Sequence, residues 1–290
     1  MMRMVNNSSG SAKDHFMAGS HIMGVVNVTP DSFSDGGQFY NADNAIAHGL
    51  QLIEEGADIL DVGGESTRPG AQVVDIDEEI SRVVPVIEGL QGRVRHISID
   101  TRNARTMDAA LKAGATIIND VSGLSYDSES VNVASKAGCM VMVMHSQGTP
   151  QDMQDNPQYN NVLDDVYAYL KSRIEFCNTH RIDTGNLIID PGIGFGKTLE
   201  HNLLLLRNIS IFHDFGVPVM LGTSRKSFIS ALSQGEPPDE RIGGSLSSAL
   251  WGLSQGVQIV RVHDVKATKQ AFRVFSAIAD SEGGVRINGQ

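Results

Sequence analysis

From residue 21 onward, short apolar runs alternate with longer segments of helical spacing. The runs are "HIMGVVNV" (21–28), "ADILDVGG" (57–64), "RHISIDT" (95–101), "TIINDVSG" (116–123), "MVMVMH" (140–145), "LIID" (187–190), "PVMLGTS" (218–224) and "VQIVRVH" (257–263). Near-continuous Val, Ile, Leu and Met, with little strict alternation, predicts strands covered on both faces, as in a parallel sheet. Between them, "DIDEEISRVVPVIEGL" carries Ile76, Ile80, Val83, Val84 and Ile87 at helical spacing, with acids in its first turn where the helix N-terminus favours negative charge. Several helical segments end on glycine just before the next run, in "EEGAD", "KAGAT", "KAGCM" and "SQGVQ". Glycine there suits the left-handed cap of a short loop.

Eight such cycles within 290 residues predict an α/β fold, a single-domain (β/α)8 barrel of the TIM type, over an open doubly wound sheet. The domain is expected to span residues 21–283, flanked by tails at 1–20 and 284–290. The first tail, "MMRMVNNSSGSAKDHFMAGS", is rich in Ser, Asn and Gly and reads as floppy.

Composition narrows the functions. A hydrophobic share of 41% with 20% charged residues is that of a globular chain. The net charge of −11 argues against a general nucleic-acid or acidic-membrane binder, but it leaves room for one small anion in a local basic pocket. Cys139 and Cys177 lack C-x-x-C spacing, so neither a disulfide framework nor a zinc site is expected. No apolar run approaches the ~18 residues of a membrane span, and the first twenty residues lack the apolar core of a signal peptide. These features together predict a soluble, cytoplasmic protein.

In such barrels chemistry sits where the strands end. Almost every run here delivers a polar group to that rim: Asn27; Glu65, Ser66, Thr67 and Arg68; Asp100 and Thr101; Asn119 and Asp120; His145; Asp190; Ser224, Arg225 and Lys226; Arg261 and His263. Strand periodicity puts Arg261 and His263 on one face. With Arg68, Arg225 and Lys226 they would form a cationic rim in an acidic protein, which suggests an anionic substrate. Asp100 and Asp190 each end a strand, with Asn119 on the strand after Asp100. The pair has three possible uses: a general acid and base, metal ligation, or paired hydrogen bonds to a ring with adjacent N–H donors, such as a 2-amino-4-oxo pterin or guanine.

"LIIDPGIGFGKT" (187–198) looks like a nucleotide cradle but fails both phosphate patterns. Pro191 stands where a P-loop needs its first glycine, and the glycines follow G-x-G-x-G instead of G-x-G-x-x-G. It reads as a strand and its rim loop, with Lys197 at the rim or in solvent.

Together, "MGVVNVTPDSFSDGG", "ADILDVGGESTRPGA", "SIDT", "IINDVSG", "MHSQGTPQDMQ", "LIIDPGIGFGKT", "GTSRKSF" and "RVHDV" resemble the dihydropteroate synthase family across residues 23–265. The resemblance implies a barrel that joins 6-hydroxymethyl-7,8-dihydropterin diphosphate to 4-aminobenzoate in folate biosynthesis, releasing diphosphate. It implies pterin contacts from Asp100, Asn119, Met144, Asp190, Gly222 and Lys226. Diphosphate would meet Asn27, Arg68, Arg261 and His263, with Mg2+ reached through Asn27. Aminobenzoate would lie among Phe33, Thr67, Pro69, Phe195 and Ser224, where sulfonamides bind in this family. Asp35, Phe33, Asp100 and Lys226 would be the catalytic residues. The family usually forms homodimers, which makes "GGSLSSALWGLSQG" (243–256) the expected subunit contact. Two rivals remain at this point: a pterin-binding barrel serving a corrinoid methyltransferase, and a ligand-binding barrel without catalysis.

Overall fold

The computed structural model describes residues 12–17, 19–29, 38–66, 73–148 and 153–279. Its strands are β1 His21–Asn27, β2 Ile59–Gly63, β3 His96–Asp100, β4 Ile117–Asp120, β5 Met140–Met144, β6 Leu187–Asp190, β7 Met220–Gly222 and β8 Ile259–Val262. All ladder pairs are parallel, in the order β6-β5-β4-β3-β2-β1-β8-β7. A parallel bridge between Ile189 and Val219 closes the ring, with the Ile189 amide donating to Pro218 O at 3.0 Å. The expected TIM-type barrel is therefore present. Each predicted run contains a strand; "LIID" coincides with β6, and the others are trimmed at one or both ends. Val28, Thr101 and His145 still donate to the neighbouring strand, at 2.8, 3.1 and 3.0 Å, so backbone pairing continues one residue past β1, β3 and β5.

The helices are α1 Ala12–Met17, α2 Gln38–Glu55, α3 Ile76–Leu90, α4 Ala104–Ala113, α5 Ser130–Ala137, α6 Val162–Thr179, α7 Leu199–Arg207, α8 Ser227–Leu232, α9 Ile242–Ser254 and α10 Val265–Ala279. The Asp75 carboxylate caps α3 by accepting from the amides of Asp77 and Glu78 at 2.9 and 3.4 Å. The buried stripe of α3 runs through Glu79, Val83, Val86, Ile87 and Leu90, rotated from the predicted Ile76, Ile80 and Val84. Glu79 can occupy a core position because Asn103 and Thr106 donate to its carboxylate at 2.9 and 2.6 Å. Gly138 ends α5 with φ 62°, the left-handed cap anticipated from "KAGCM".

Alternation along the strands divides the apolar residues into two cores. Ile22, Val26, Leu60, Val62, Ile99, Ile118, Val141, Val143 and Ile189 belong to the larger core, which includes the helices' buried faces. Met23, Ile59, Ile117, Met140, Met142, Ile188, Met220 and Ile259 form the second, with Phe16 of α1 among them. Fully burying one such side chain contributes about 1.5–3 kcal/mol. The floppy reading of residues 1–20 fails for Ala12–Met17, while residues 1–11 lie outside the described residues. Ala12–Met17 is helical, and Phe16 is only 1% exposed. Its ring lies 5.0 Å from that of His21, at the start of β1, and 5.4 Å from that of His96, at the start of β3. A single large aromatic closes the amino-terminal end of the barrel, where Met23, Ile59 and Ile117 would otherwise meet water. Toward the other end the lumen becomes polar.

Candidate active site

The strand register sets Gly63, Asp100 and Asn119 side by side on β2, β3 and β4, pairs Met144 with Asp190, and pairs Gly222 with Arg261. The glycines clear space: a Cβ on Gly222 would meet Arg261 Cβ at 3.8 Å and Lys226 Nζ at 3.9 Å. Arg261 donates through Nε to Asp61 Oδ2 at 2.6 Å and through Nη2 to Asp100 Oδ2 at 2.8 Å. Asn119 Nδ2 also donates to Asp61 Oδ2, at 3.1 Å.

One guanidinium thus serves two buried carboxylates, so the cluster keeps a surplus of acceptors. Asp61 Oδ1, Asp100 Oδ1 and Ser98 Oγ are buried without a hydrogen-bond partner. Such groups are rare in folded proteins and costly to leave unmet, so they point to a ligand rich in N–H donors. Burial raises the Asp100 carboxyl above its ordinary range; Arg261 opposes the shift and Asp61 adds to it.

Asp61 escaped the sequence reading, although it is completely buried at the centre of this cluster. The available signal was an acid inside "ADILDVGG", two residues before Gly63 and so on the same strand face.

Asp190 accepts from the Gly192 amide at 2.7 Å. Burial raises its carboxyl, with the Lys226 charge opposing. Lys226 Nζ donates to Ile193 O and lies 4.6 Å from the centre of the Phe195 ring. Burial pushes that ammonium down to about 8. Ser224 Oγ sits 3.0 Å from His263 Nδ1 and accepts from the His263 amide at 3.2 Å. Asn27 ends β1 opposite Gly63, half-buried.

Three rim expectations change. Arg225 forms a bidentate pair with Asp264, at 2.6 and 3.0 Å, so its charge is already matched. Asp120 faces out of the lumen and builds a turn, accepting from the Ser122 amide and hydroxyl at 2.7 Å each and from the Leu124 amide at 3.0 Å. Lys197 lies in the rim loop after β6 but not in solvent, being 3% exposed. Its Nζ lies 2.9 Å from His145 Nδ1, 3.3 Å from His145 O and 3.0 Å from Phe195 O. His145 therefore turns toward Lys197 and, edge-on, toward the Tyr169 ring at 4.8 Å. Phe33, Asp35, Thr67, Arg68 and Pro69 lie outside the described residues.

Among the described residues no group of three or more His, Cys, Asp or Glu could hold a metal ion, and no helix is long and apolar enough to cross a membrane.

Residues 23–263 match the model of the pterin binding enzyme family. The chain is 44% identical over 267 residues to the dihydropteroate synthase of Escherichia coli K12, covering 92% of this chain and 94% of that one. The Xanthomonas albilineans dihydropteroate synthase solved with 4-aminobenzoic acid superposes with a TM-score of 0.86 at 42% identity, covering 92% of this chain and 95% of that one. The same organism's enzyme in complex with 7,8-dihydropteroate gives 0.83 at 39% identity, covering 92% and 96%. Matches of this identity and span, on a barrel whose lumen collects buried acceptors beside a lysine and an arginine, leave one assignment: the chain belongs to the dihydropteroate synthase family of pterin-binding enzymes.

Proposed function

We propose that the polar end of the lumen is where this transferase holds its pterin while condensing 6-hydroxymethyl-7,8-dihydropterin diphosphate with 4-aminobenzoate to 7,8-dihydropteroate and diphosphate. The observation that carries the residue assignment is the unpartnered Asp100 Oδ1 beside Asn119, in a lumen that also holds Asp190. A 2-amino-4-oxo pterin presents adjacent N–H donors, which suit carboxylate acceptors, and Asn119 can both donate and accept. Asp190 would take the 2-amino and ring N–H groups. Lys226 and Met144 complete the pocket, with Gly222 leaving room for the flat ring.

The reaction breaks a C–O bond to diphosphate at a CH2 conjugated with the ring. Departure leaves a cation delocalised into the pterin, so the step depends on neutralising the leaving charge. Arg261 has spent Nε and Nη2 on Asp61 and Asp100, and its remaining donors together with His263 would meet the diphosphate, with Arg68 as a further expected partner. The aromatic amine is neutral at pH 7 and needs no strong base before attack. Phe195 and Ser224 would border it, joined by Phe33, Thr67 and Pro69, while Asp35 would steady the developing positive charge.

Asn27 ends β1 beside Gly63, half-buried, and its side-chain oxygen is a neutral hard donor of the kind that suits a cation arriving with the diphosphate. Mg2+ favours that mode, keeping waters and substrate phosphates with few protein ligands. When bound there it would supply positive charge to the leaving group.

A homodimer through α7, α8 and α9 is part of this reading. Leu203, Leu232 and Trp251 remain exposed on those helices, and Trp251 belongs to the segment 243–256 anticipated as the contact. Sedimentation as a monomer at micromolar concentration would reject it. Cytoplasmic residence fits Cys139 and Cys177, both free thiols. Turnover itself is tested by supplying both substrates with Mg2+. Formation of dihydropteroate with release of diphosphate is expected, and no product at saturation would refute the activity.

A further inference from the structure

Lys197 has no part in the chemistry above, yet a fully buried lysine is rare and costly unless paired. Burial pushes the Lys197 ammonium down to about 7, with the Asp190 charge opposing, and in its charged form its three N–H donors meet three acceptors within reach: His145 Nδ1, His145 O and Phe195 O. None is left over for a substrate phosphate. With its Nδ1 accepting, His145 is neutral, in keeping with burial and the Lys197 charge pushing it down to about 3.

Two of the acceptors belong to the loop after β5 and the third to the loop after β6, so Lys197 stitches the two loops together. The backbones are pressed together there. A Cβ on Gly192 would sit 1.9 Å from His145 O, and one on Gly196 would sit 2.3 Å from Gln147 O. Phe195 lies between those glycines, its carbonyl on Lys197 and its ring beside Lys226. The glycine carbonyls flanking Phe195 are held as well, Gly194 O by Gln154 Nε2 and Gly196 O by Tyr159 Oη, both at 2.7 Å.

We propose that Lys197 is a positioning residue for aminobenzoate: by fixing the Phe195 carbonyl against the β5 loop, it holds the Phe195 ring in place beside Lys226. The inference rests on Phe195 being the aminobenzoate wall. Replacing Lys197 with an apolar side chain leaves three buried acceptors unmet, and the least costly relief is movement of the 192–196 backbone toward water.

The test compares Lys197→Met, Phe195→Ala and the double variant by steady-state kinetics with each substrate, with pterin binding followed by calorimetry and folding by circular dichroism. Lys197→Met should raise the aminobenzoate KM about tenfold, the scale of a lost hydrogen bond to a charged group, with pterin Kd held within about twofold. The double variant should be no worse than Phe195→Ala alone. Multiplying effects would overturn the proposal, as would an unchanged aminobenzoate KM in Lys197→Met beside a raised one in Phe195→Ala. An unchanged KM in Phe195→Ala would instead remove the wall reading itself. Should Lys197→Met fail to fold, Lys197→Ala, which removes every donor while leaving room for water, decides the matter: a raised aminobenzoate KM supports the role and an unchanged one overturns it.

Discussion

Arg261 Nη2 of β8 donates to Asp100 Oδ2 of β3 at 2.8 Å, and the same guanidinium holds Asp61 through Nε. β8, β2 and β3 are thereby joined in one charge cluster, which under the proposed function would link the diphosphate end of the site to the pterin end. Removing the arginine strands two buried carboxylates, a loss of about 3–5 kcal/mol by analogy with broken buried pairs.

Arg261→Met should therefore lower stability to urea by about that amount, and by more at pH 8 than at pH 5. The sign follows from the Asp100 carboxyl, whose folded value already lies above its ordinary one. Without the arginine its folded value rises further, so the folded state binds more protons than the unfolded state above the ordinary carboxylate range. Stability then falls as pH rises. Equal destabilisation at both pH values would contradict this account.

Pterin affinity should weaken as pH rises through about 8, where burial places the Lys226 ammonium. The proton is lost from a group meant to face the pterin, so binding is complete below that pH and declines above it. Lys226→Arg, which keeps its charge, should remove the decline. Calorimetric titration of a pterin ligand across pH 6.5 to 9.5 checks both halves.

Phe16→Ala should cost stability without touching chemistry. Truncating a buried Phe costs about 3–5 kcal/mol in a well-packed core, and the lower end is expected for a six-residue terminal helix. The site opens at the opposite end of the barrel, so kcat/KM measured below the melting transition should stay within about twofold. A large loss of activity at full folding would mean that α1 reaches the site.

How much the sequence disclosed depended on what each residue does to the one-dimensional pattern. The strands were legible because both their faces are apolar, which gives runs such as "MVMVM" that need no partner to be recognised. Asp100, Asn119 and Asp190 were legible because they stand at strand ends. Asp61 was not, because an acid inside an apolar run looks like an interruption until Arg261, two hundred residues later, is seen to neutralise it. Lys197 misled for a related reason: its three acceptors come from His145 and Phe195, and nothing in "GFGKT" announces that the loop folds back over its own lysine. Arg225 lost its rim role to Asp264, a pairing between residues on loops that follow different strands.

Gly192→Ala offers a geometric test of that loop. Gly192 has φ 70°, a left-handed conformation that costs an alanine about 1–2 kcal/mol, and the added methyl would collide with His145 O. The backbone must move, and the Gly192 amide that holds Asp190 moves with it. Pterin affinity should fall at least tenfold, roughly the worth of one hydrogen bond to a charged group, as read by calorimetry.

The central claim is that carboxylates at the strand ends read the pterin ring. The most direct measurement is the dissociation constant of a pterin ligand for Asp190→Ala beside the unaltered protein at pH 7, with folding confirmed by circular dichroism. Weakening by roughly tenfold to a hundredfold is expected, the loss that follows when paired charged hydrogen bonds disappear. An unchanged dissociation constant in a folded Asp190→Ala protein would contradict it.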